Sequence, residues 1–502
     1  MRKVLATSLA ALAGAAALAG CGGGSSGSGK DALDEALGYL PKSAPLVVTI
    51  DTDPNGSQWK SLSAILHKFS FGDKVAQQLK QSISNQGLDF DKQVKPLLGN
   101  PAVIGAPSAQ SILGSGHSYV IALKVKDKGK LSSVLKQSKF LEADGSSNGA
   151  TLYAQNQGGS EIGQAGDVLI ASDTKANVVQ ALVQRNKSDR LTEDQFNSAL
   201  SDLPKDALVR VYADLRTLLG DSPSTAEARK VKWIAALRTL GLTGQATDNA
   251  ISFDFNLKTD PSGLTDADVP IATGDASPGV VGKPGELVFG LRGVNQVIDF
   301  AQSVAQTISP GSFADFARAK AQIGARLGID VDKDVIDQFS GNTSIAVSLN
   351  GGYAIRAELK DPAAFSKTLA KLARVAPSFA SGIGLKGARL TKSGGLYKLS
   401  GRGKSKDVYF GVVNNVFVIS TDPARIAQLA AATPKSVPGA KGAFVTSSDA
   451  GAILAQIISS FAGGGLGGQL GGSLASAPLG DLDGWAGAST SGLKGHLQLG
   501  IK

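Results

Sequence analysis

Cysteine, methionine and histidine are almost absent from this chain, at one, one and three residues in 502. The methionine is Met1 and the cysteine is Cys21, so no disulfide and no thiol redox chemistry is available to the remainder. The histidines, His67, His117 and His496, are far apart, and no two have the spacing of metal ligands. No metal site, cofactor or catalytic histidine is therefore expected. Aromatic residues make up 6% of the chain against 42% hydrophobic residues overall, so the core must be mostly Val, Leu, Ile and Ala. No stretch reaches the ~20 consecutive apolar residues of a membrane-spanning helix.

The formal charge is +9, or +7 once Arg2 and Lys3 are set aside. The basic residues are thinly spread, densest from Lys124 to Lys130, and no aromatics are interleaved with them. This does not resemble a nucleic-acid footprint, and no nucleic-acid partner is expected. Phosphate cradles fail as well. Gly403-Lys404-Ser405 ends like a P-loop but Lys398 occupies its leading Gly position, and Gly463 to Gly468 has no acidic ribose partner downstream. The one G-x-S-x-G, Gly23 to Gly27, has no strand before it to form a nucleophile elbow. Asp51-Thr52-Asp53-Pro54-Asn55-Gly56 begins like a calcium loop, but Leu62 stands where a bidentate Glu is needed. A turn with side-chain-to-backbone hydrogen bonds accounts for it.

What is present starts at the N-terminus. Arg2 and Lys3 precede a short Ala/Leu/Gly run, and Leu18-Ala19-Gly20-Cys21 resembles the lipobox of bacterial lipoproteins. That resemblance implies cleavage before Cys21 and a diacylglyceryl thioether on it. Residues 1–20 are then a signal peptide. Residues 21–30, nearly all Gly and Ser, are a flexible tether with no side chains for a core. The expected partner is a membrane, reached through the lipid on Cys21, and the expected location is extracytoplasmic.

The body of the chain repeats itself. Gly87-Leu-Asp-Phe-Asp-Lys-Gln-Val returns as Gly328-Ile-Asp-Val-Asp-Lys-Asp-Val, each copy followed by a Gly-Asn. Around this motif, Leu46–Ile50 matches Leu287–Leu291, Ala102–Ala106 matches Thr343–Ser348, and Tyr119–Asp127 matches Tyr353–Asp361. Leu152-Tyr153 matches Leu396-Tyr397, Val168–Ser172 matches Val416–Ser420, and Ile251–Leu257 matches Leu493–Leu499. The offset drifts only between 234 and 248 residues, far beyond any solenoid period. Two domain copies follow, residues 31–258 and 286–502. Between them, residues 259–285 are rich in Asp, Pro, Gly and Ser, have no periodicity, and read as a linker. Because the acid pairs Asp89/Asp91 and Asp330/Asp332 recur in both copies, they read as helix caps and not as a catalytic dyad.

Short β-branched runs such as Leu46–Ile50 and Val168–Ser172 read as strands. Trp59, Leu62, Leu66 and Phe69 fall on one helical face, as do Val75, Leu79 and Ile83. A further helix is expected to carry Trp233, Leu237 and Leu240. The expected fold class is α+β: two tandem copies of a largely antiparallel sheet with helices packed on one face.

Leu40-Pro41-Lys42-Ser43-Ala44-Pro45-Leu46-Val47-Val48-Thr49-Ile50-Asp51-Thr52-Asp53-Pro54, followed by Gln58-Trp59, resembles uncharacterised bacterial lipoproteins grouped as domain of unknown function 3352. The resemblance implies an extracytoplasmic protein and supplies no activity. The expected function is a non-enzymatic binding or structural module of the cell envelope, anchored to the membrane, with a hydrophobic ligand or an envelope protein as partner. The alternative is a carrier of lipid or another hydrophobic ligand in a sheet–helix groove. An enzyme acting on wall polymer stands third.

Overall fold

The computed structural model describes residues 29–69, 72–85, 87–113, 118–156, 160–220, 225–380, 385–403, 406–453 and 478–502. They form two compact units. The first takes in the chain to Ala226 together with Arg238–Leu257 and Ile501; the second takes in Glu227–Leu237, Lys258–Gly500 and Lys502.

The strands of the first unit are β1 (Leu46–Ile50), β2 (Ala102–Ala106), β3 (Val120–Lys124), β4 (Leu141–Ser147), β5 (Ala150–Gln155), β6 (Glu161–Ala165), β7 (Val168–Ser172), β8 (Val209–Asp214), β9 (Leu237–Thr247) and β10 (Ala250–Thr259). Hydrogen bonding places them in the order 4-5-6-7-3-2-1-8-9-10. They run antiparallel from β4 to β9. The second unit supplies β11 (Glu286–Arg292), β12 (Asn342–Ser348), β13 (Tyr353–Glu358), β14 (Lys386–Ser393), β15 (Leu396–Arg402), β16 (Val408–Val413), β17 (Val416–Ser420), β18 (Phe444–Asp449), β19 (Leu479–Ser489) and β20 (Gly492–Ile501). Their order is 14-15-16-17-13-12-11-18-19-20. Adding ten to every strand number of the first order reproduces the second, so the chain is α+β with two tandem copies of one antiparallel topology.

Burial explains why the central strands are almost wholly apolar in sequence. In the first unit Val47, Val103, Val120, Ala122, Val168 and Ile170 pack with Leu33, Leu37 and Phe196 on one face. Ala102, Ile121, Leu123, Leu169 and Ala171 pack with Trp59, Leu131 and Leu135 on the other. A strand covered on both faces loses the apolar/polar alternation of a half-exposed one. The second unit also has two clusters. In one of them Phe339, Phe365 and Phe417 meet edge-to-face at 5.3–5.8 Å.

The outermost strands β4 and β14 have no sequence signature. Leu-Glu-Ala-Asp-Gly-Ser-Ser and Lys-Gly-Ala-Arg-Leu-Thr-Lys-Ser are exposed, polar and interrupted by a register shift in each copy. Charge and a bulge are the usual protections of a free sheet edge. The helix expected over Trp233–Leu240 shrinks to Lys232–Ala235, and Leu237 opens β9. Pairing of Ala213 with Leu240 and of Asp214 with Thr239 overrides the helical spacing.

Residues 259–285, expected as a linker, lie within the second unit. Val269 and Val280 are buried, and Val280 bridges to Lys435. Their backbone carbonyls are met by side chains: Arg292 donates to Thr273, Gly274 and Ala276, and Gln296 donates to Asp266, Ala267 and Val269. A segment held this way needs no periodicity.

Candidate functional site

The repeated motif is a capping device. Asp89 accepts the Lys92 N–H at 2.9 Å while Gln93 Oε1 accepts the Asp89 N–H. In the second unit Asp330 accepts the N–H groups of Asp332 and Lys333, and Asp334 accepts the Asp330 N–H. Reciprocal bonds of this kind satisfy donors left open at a helix start. The second acid of each pair holds a lysine, Lys80 to Asp91 at 2.9 Å and Lys320 to Asp332 at 2.8 Å. Both acids are thus occupied structurally, in the same way twice.

The Asp51 turn is closed by its own side chains. Asp51 accepts the Asp53 N–H, and Asp53 accepts the Asn55 N–H. Buried Thr52 donates to the Asn100 carbonyl and accepts the Gly99 N–H, which ties the turn to the Gly-Asn of the motif. Burial pushes the Asp51 carboxyl up to about 6; the Asp53 N–H opposes this, and the charges of Asp53 and Asp206 add to it. The folded chain therefore binds more protons than the unfolded one between about pH 4 and pH 6, and stability falls as pH rises through that window. Asp51→Asn, which keeps an acceptor for the Asp53 N–H, should be more stable than wild type at pH 7.5, by at most about 3 kcal/mol. It should also lose the slope between pH 4 and 6; urea titrations at several pH values would check both.

His67 Nδ1 lies 2.7 Å from the Ser63 carbonyl of its own helix, and His496 lies in β20. Among the described residues no three His, Cys, Asp or Glu side chains come together as metal ligands. Cys21, His117, the Gly23–Gly27 pattern, Lys404-Ser405 and the Gly463–Gly468 run lie outside the described residues.

The largest cleft described for the first unit, about 730 Å³, involves none of these candidates. It is lined by Asp31, Asp34, Glu35, Arg185, Glu193, Asp194, Asn197, Lys205 and Arg210. The helix Gly29–Leu37 carries the first three acids on one face while Ala32, Leu33, Ala36 and Leu37 are buried. Two of the acids build the wall. Asp34 accepts from Arg190 and from the Glu193 N–H, both at 2.9 Å. Burial acts to raise its carboxyl, but these hydrogen bonds prevail and hold it below the usual range. Glu35 takes Lys124 at 2.6 Å, with Arg185 at 3.8 Å. The helix Glu193–Ala199 forms a second wall, opened by a capping box of Thr192 and Gln195.

Arg210, in β8, is different. It is only 9% exposed, its guanidinium lies 5.0 Å from the centre of the Phe196 ring, and its Nε has no partner. Burial lowers its proton affinity, opposed by the charge of Glu193. Across the ladder it pairs with Thr49 and Thr243, and the buried Thr243 Oγ1 also lacks a partner. In the second unit the same rung is Gly290, Val445 and Trp485, entirely apolar. Sequence reasoning misses Arg210 because one arginine between Val209 and Val211 reads as strand alternation. The signal lies in comparing the two copies at that rung.

Two smaller clefts are also polar. One of about 280 Å³ in the second unit is lined by Lys283, Glu286, Ser348, Lys406 and Arg425 among others. One of about 490 Å³ lies at the repeated motif, beside Lys80, Asp89 and Asp91. Among the described residues no helix is long and apolar enough to cross a membrane.

A family model described as "Protein of unknown function (DUF3352)" matches residues 4–380. No curated protein matches the chain. Three solved crystal forms of TP0453 are similar to it at 10–11% identity, over 44–46% of this chain and 80–82% of theirs, with TM-scores of 0.27–0.28.

Proposed function

We propose that this chain, which belongs to the DUF3352 family, is a non-enzymatic binding module held at a bacterial membrane surface by a lipid on Cys21. The observation that carries the binding reading is the open cleft of about 730 Å³ with the buried Arg210, its Nε without a hydrogen-bond partner, in its lining. Charged and polar side chains predominate around all three clefts, which favours a polar ligand over the acyl chain of the carrier alternative. The anchoring reading is supported by Leu18-Ala19-Gly20-Cys21, by the Gly/Ser tether, and by the position of the only cysteine. Two acyl chains, at about 0.8 kcal/mol per buried methylene, make a stable anchor, whereas the tether alone offers no apolar surface.

The test is radioactive palmitate labelling with detergent-phase partition in a bacterial host. Wild type should label and enter the detergent phase. Cys21→Ser should do neither and should move to the aqueous phase. A wild-type chain that stays aqueous and unlabelled would end the anchored reading.

A further inference from the structure

We infer that the cleft over Arg210 binds a small zwitterion of short-peptide size, its carboxylate on the Arg210 guanidinium and its ammonium group on the acidic rim. This rests on the reading of the chain as a binding module and names the ligand class.

The starting point is a buried cation whose described partners are the Phe196 ring and the charge of Glu193, with its Nε left without a hydrogen bond. A buried arginine is ordinarily paired, because desolvating the guanidinium without a partner is costly. Arg210 is nine-tenths buried and lines the cleft, and its Nε, shut off from water behind that lining, has no partner. The fold does not require it, since Val445 fills the same rung of the second unit, against Gly290 and Trp485. A charge kept at a cost in one copy, where the other copy manages with a hydrocarbon, points to something outside the chain. The planar guanidinium fork matches a carboxylate with two parallel donors.

The rim sets the other half of the ligand. Asp34 and Glu35 are engaged by Arg190, Lys124 and Arg185. Asp31 and Asp194 are exposed and lie in the same lining as Glu193. A simple anion reaching Arg210 would face these carboxylates, and a simple cation would face Arg210 and Lys205. A molecule carrying both charges, spaced as at the two ends of a short peptide, is complementary to floor and rim together. A volume of about 730 Å³ falls in the range of small-ligand pockets and far exceeds that of a single ion.

Isothermal titration of the full chain in detergent, with trialanine as probe, tests this. Trialanine should bind saturably. N-acetyl-trialanine, lacking the ammonium, and trialanine amide, lacking the carboxylate, should each bind at least tenfold more weakly. Arg210→Met should lose binding while unfolding at a temperature no lower than wild type, which a purely structural arginine would not allow. Asp194→Asn, on the exposed rim, should weaken trialanine several-fold and leave trialanine amide, already without its carboxylate, weaker still. Equal binding of the blocked peptides, unchanged affinity in Arg210→Met, or no binding of trialanine at all would overturn the proposal. Detergent partition reports on anchoring separately, so a chain that partitions as a lipoprotein yet ignores trialanine loses only its ligand class.

Discussion

Arg425→Met should destabilise the second unit by about 3–5 kcal/mol, the cost of breaking one half of a buried ion pair. Arg425 and Glu286 are 5% and 7% exposed and are joined through Arg425 Nη1 and Glu286 Oε1. Glu286 also accepts the Lys283 N–H at 2.8 Å and the Ser348 hydroxyl at 3.3 Å. Those neutral donors remain in the variant, but the carboxylate keeps its charge in the lining of the small cleft, where little of it meets water. The pair is a device of this unit, since the corresponding places in the first are Pro45 and Asn177. The double variant Glu286→Gln, Arg425→Met should therefore recover most of the loss. Urea unfolding of both variants gives the comparison. A single variant within 1 kcal/mol of wild type would show that the pair contributes little net stability.

Gly442→Ala should cost about 3 kcal/mol or more, through two separate causes. The residue has φ of +120°, in a region that only glycine occupies at ease. A methyl group there would also overlap the Gly487 Cα and the Ala486 carbonyl of β19, which are backbone atoms that cannot rotate away. Gly439→Ala separates the two causes. Its φ is +68°, but a methyl group would meet nothing within 4 Å, so only the left-handed strain of about 1–2 kcal/mol applies. Thermal denaturation of the two variants should rank Gly442→Ala well below Gly439→Ala. Equal midpoints would mean that the close approach of this bend to β19 is relieved by a small shift.

The parts of the fold that were legible are those in which local chemistry and tertiary packing agree. Val168–Ser172 is β-branched and buried on both faces, so it reads as a strand from either standpoint. The Gly87 motif is legible because capping is local; Asp89 and its partners lie within four residues of one another. β4 and β14 were not legible because an exposed edge selects against strand-like residues. The cleft was hidden for another reason. Its walls join residues 156 apart in sequence, as from Asp34 to Arg190. A charged helix face such as Asp31, Asp34 and Glu35 looks the same in sequence whether it meets solvent or arginine. The 259–285 segment was obscure because side chains of Arg292 and Gln296, outside it, hold its carbonyls.

The strand order also bears on how the chain is made. β1 leaves the ribosome before the other described strands, and it lies between β2, which follows it, and β8, which comes much later. Leu46 waits for Ala213, and in the second copy Leu291 waits for Phe444. Until those late strands arrive, each half-built sheet offers an open inner edge, and β8 and β18 are cut to the same topological address. The bulged outer strands β4 and β14 guard the opposite margin and cannot help. Swapping of β8 for β18 is the kind of misassembly that a duplicated topology invites. Sequential emergence lessens it, because the first sheet can close before the second exists. Export in an unfolded state, which the proposed lipid anchor would entail, would forgo that protection and let both addresses meet at once.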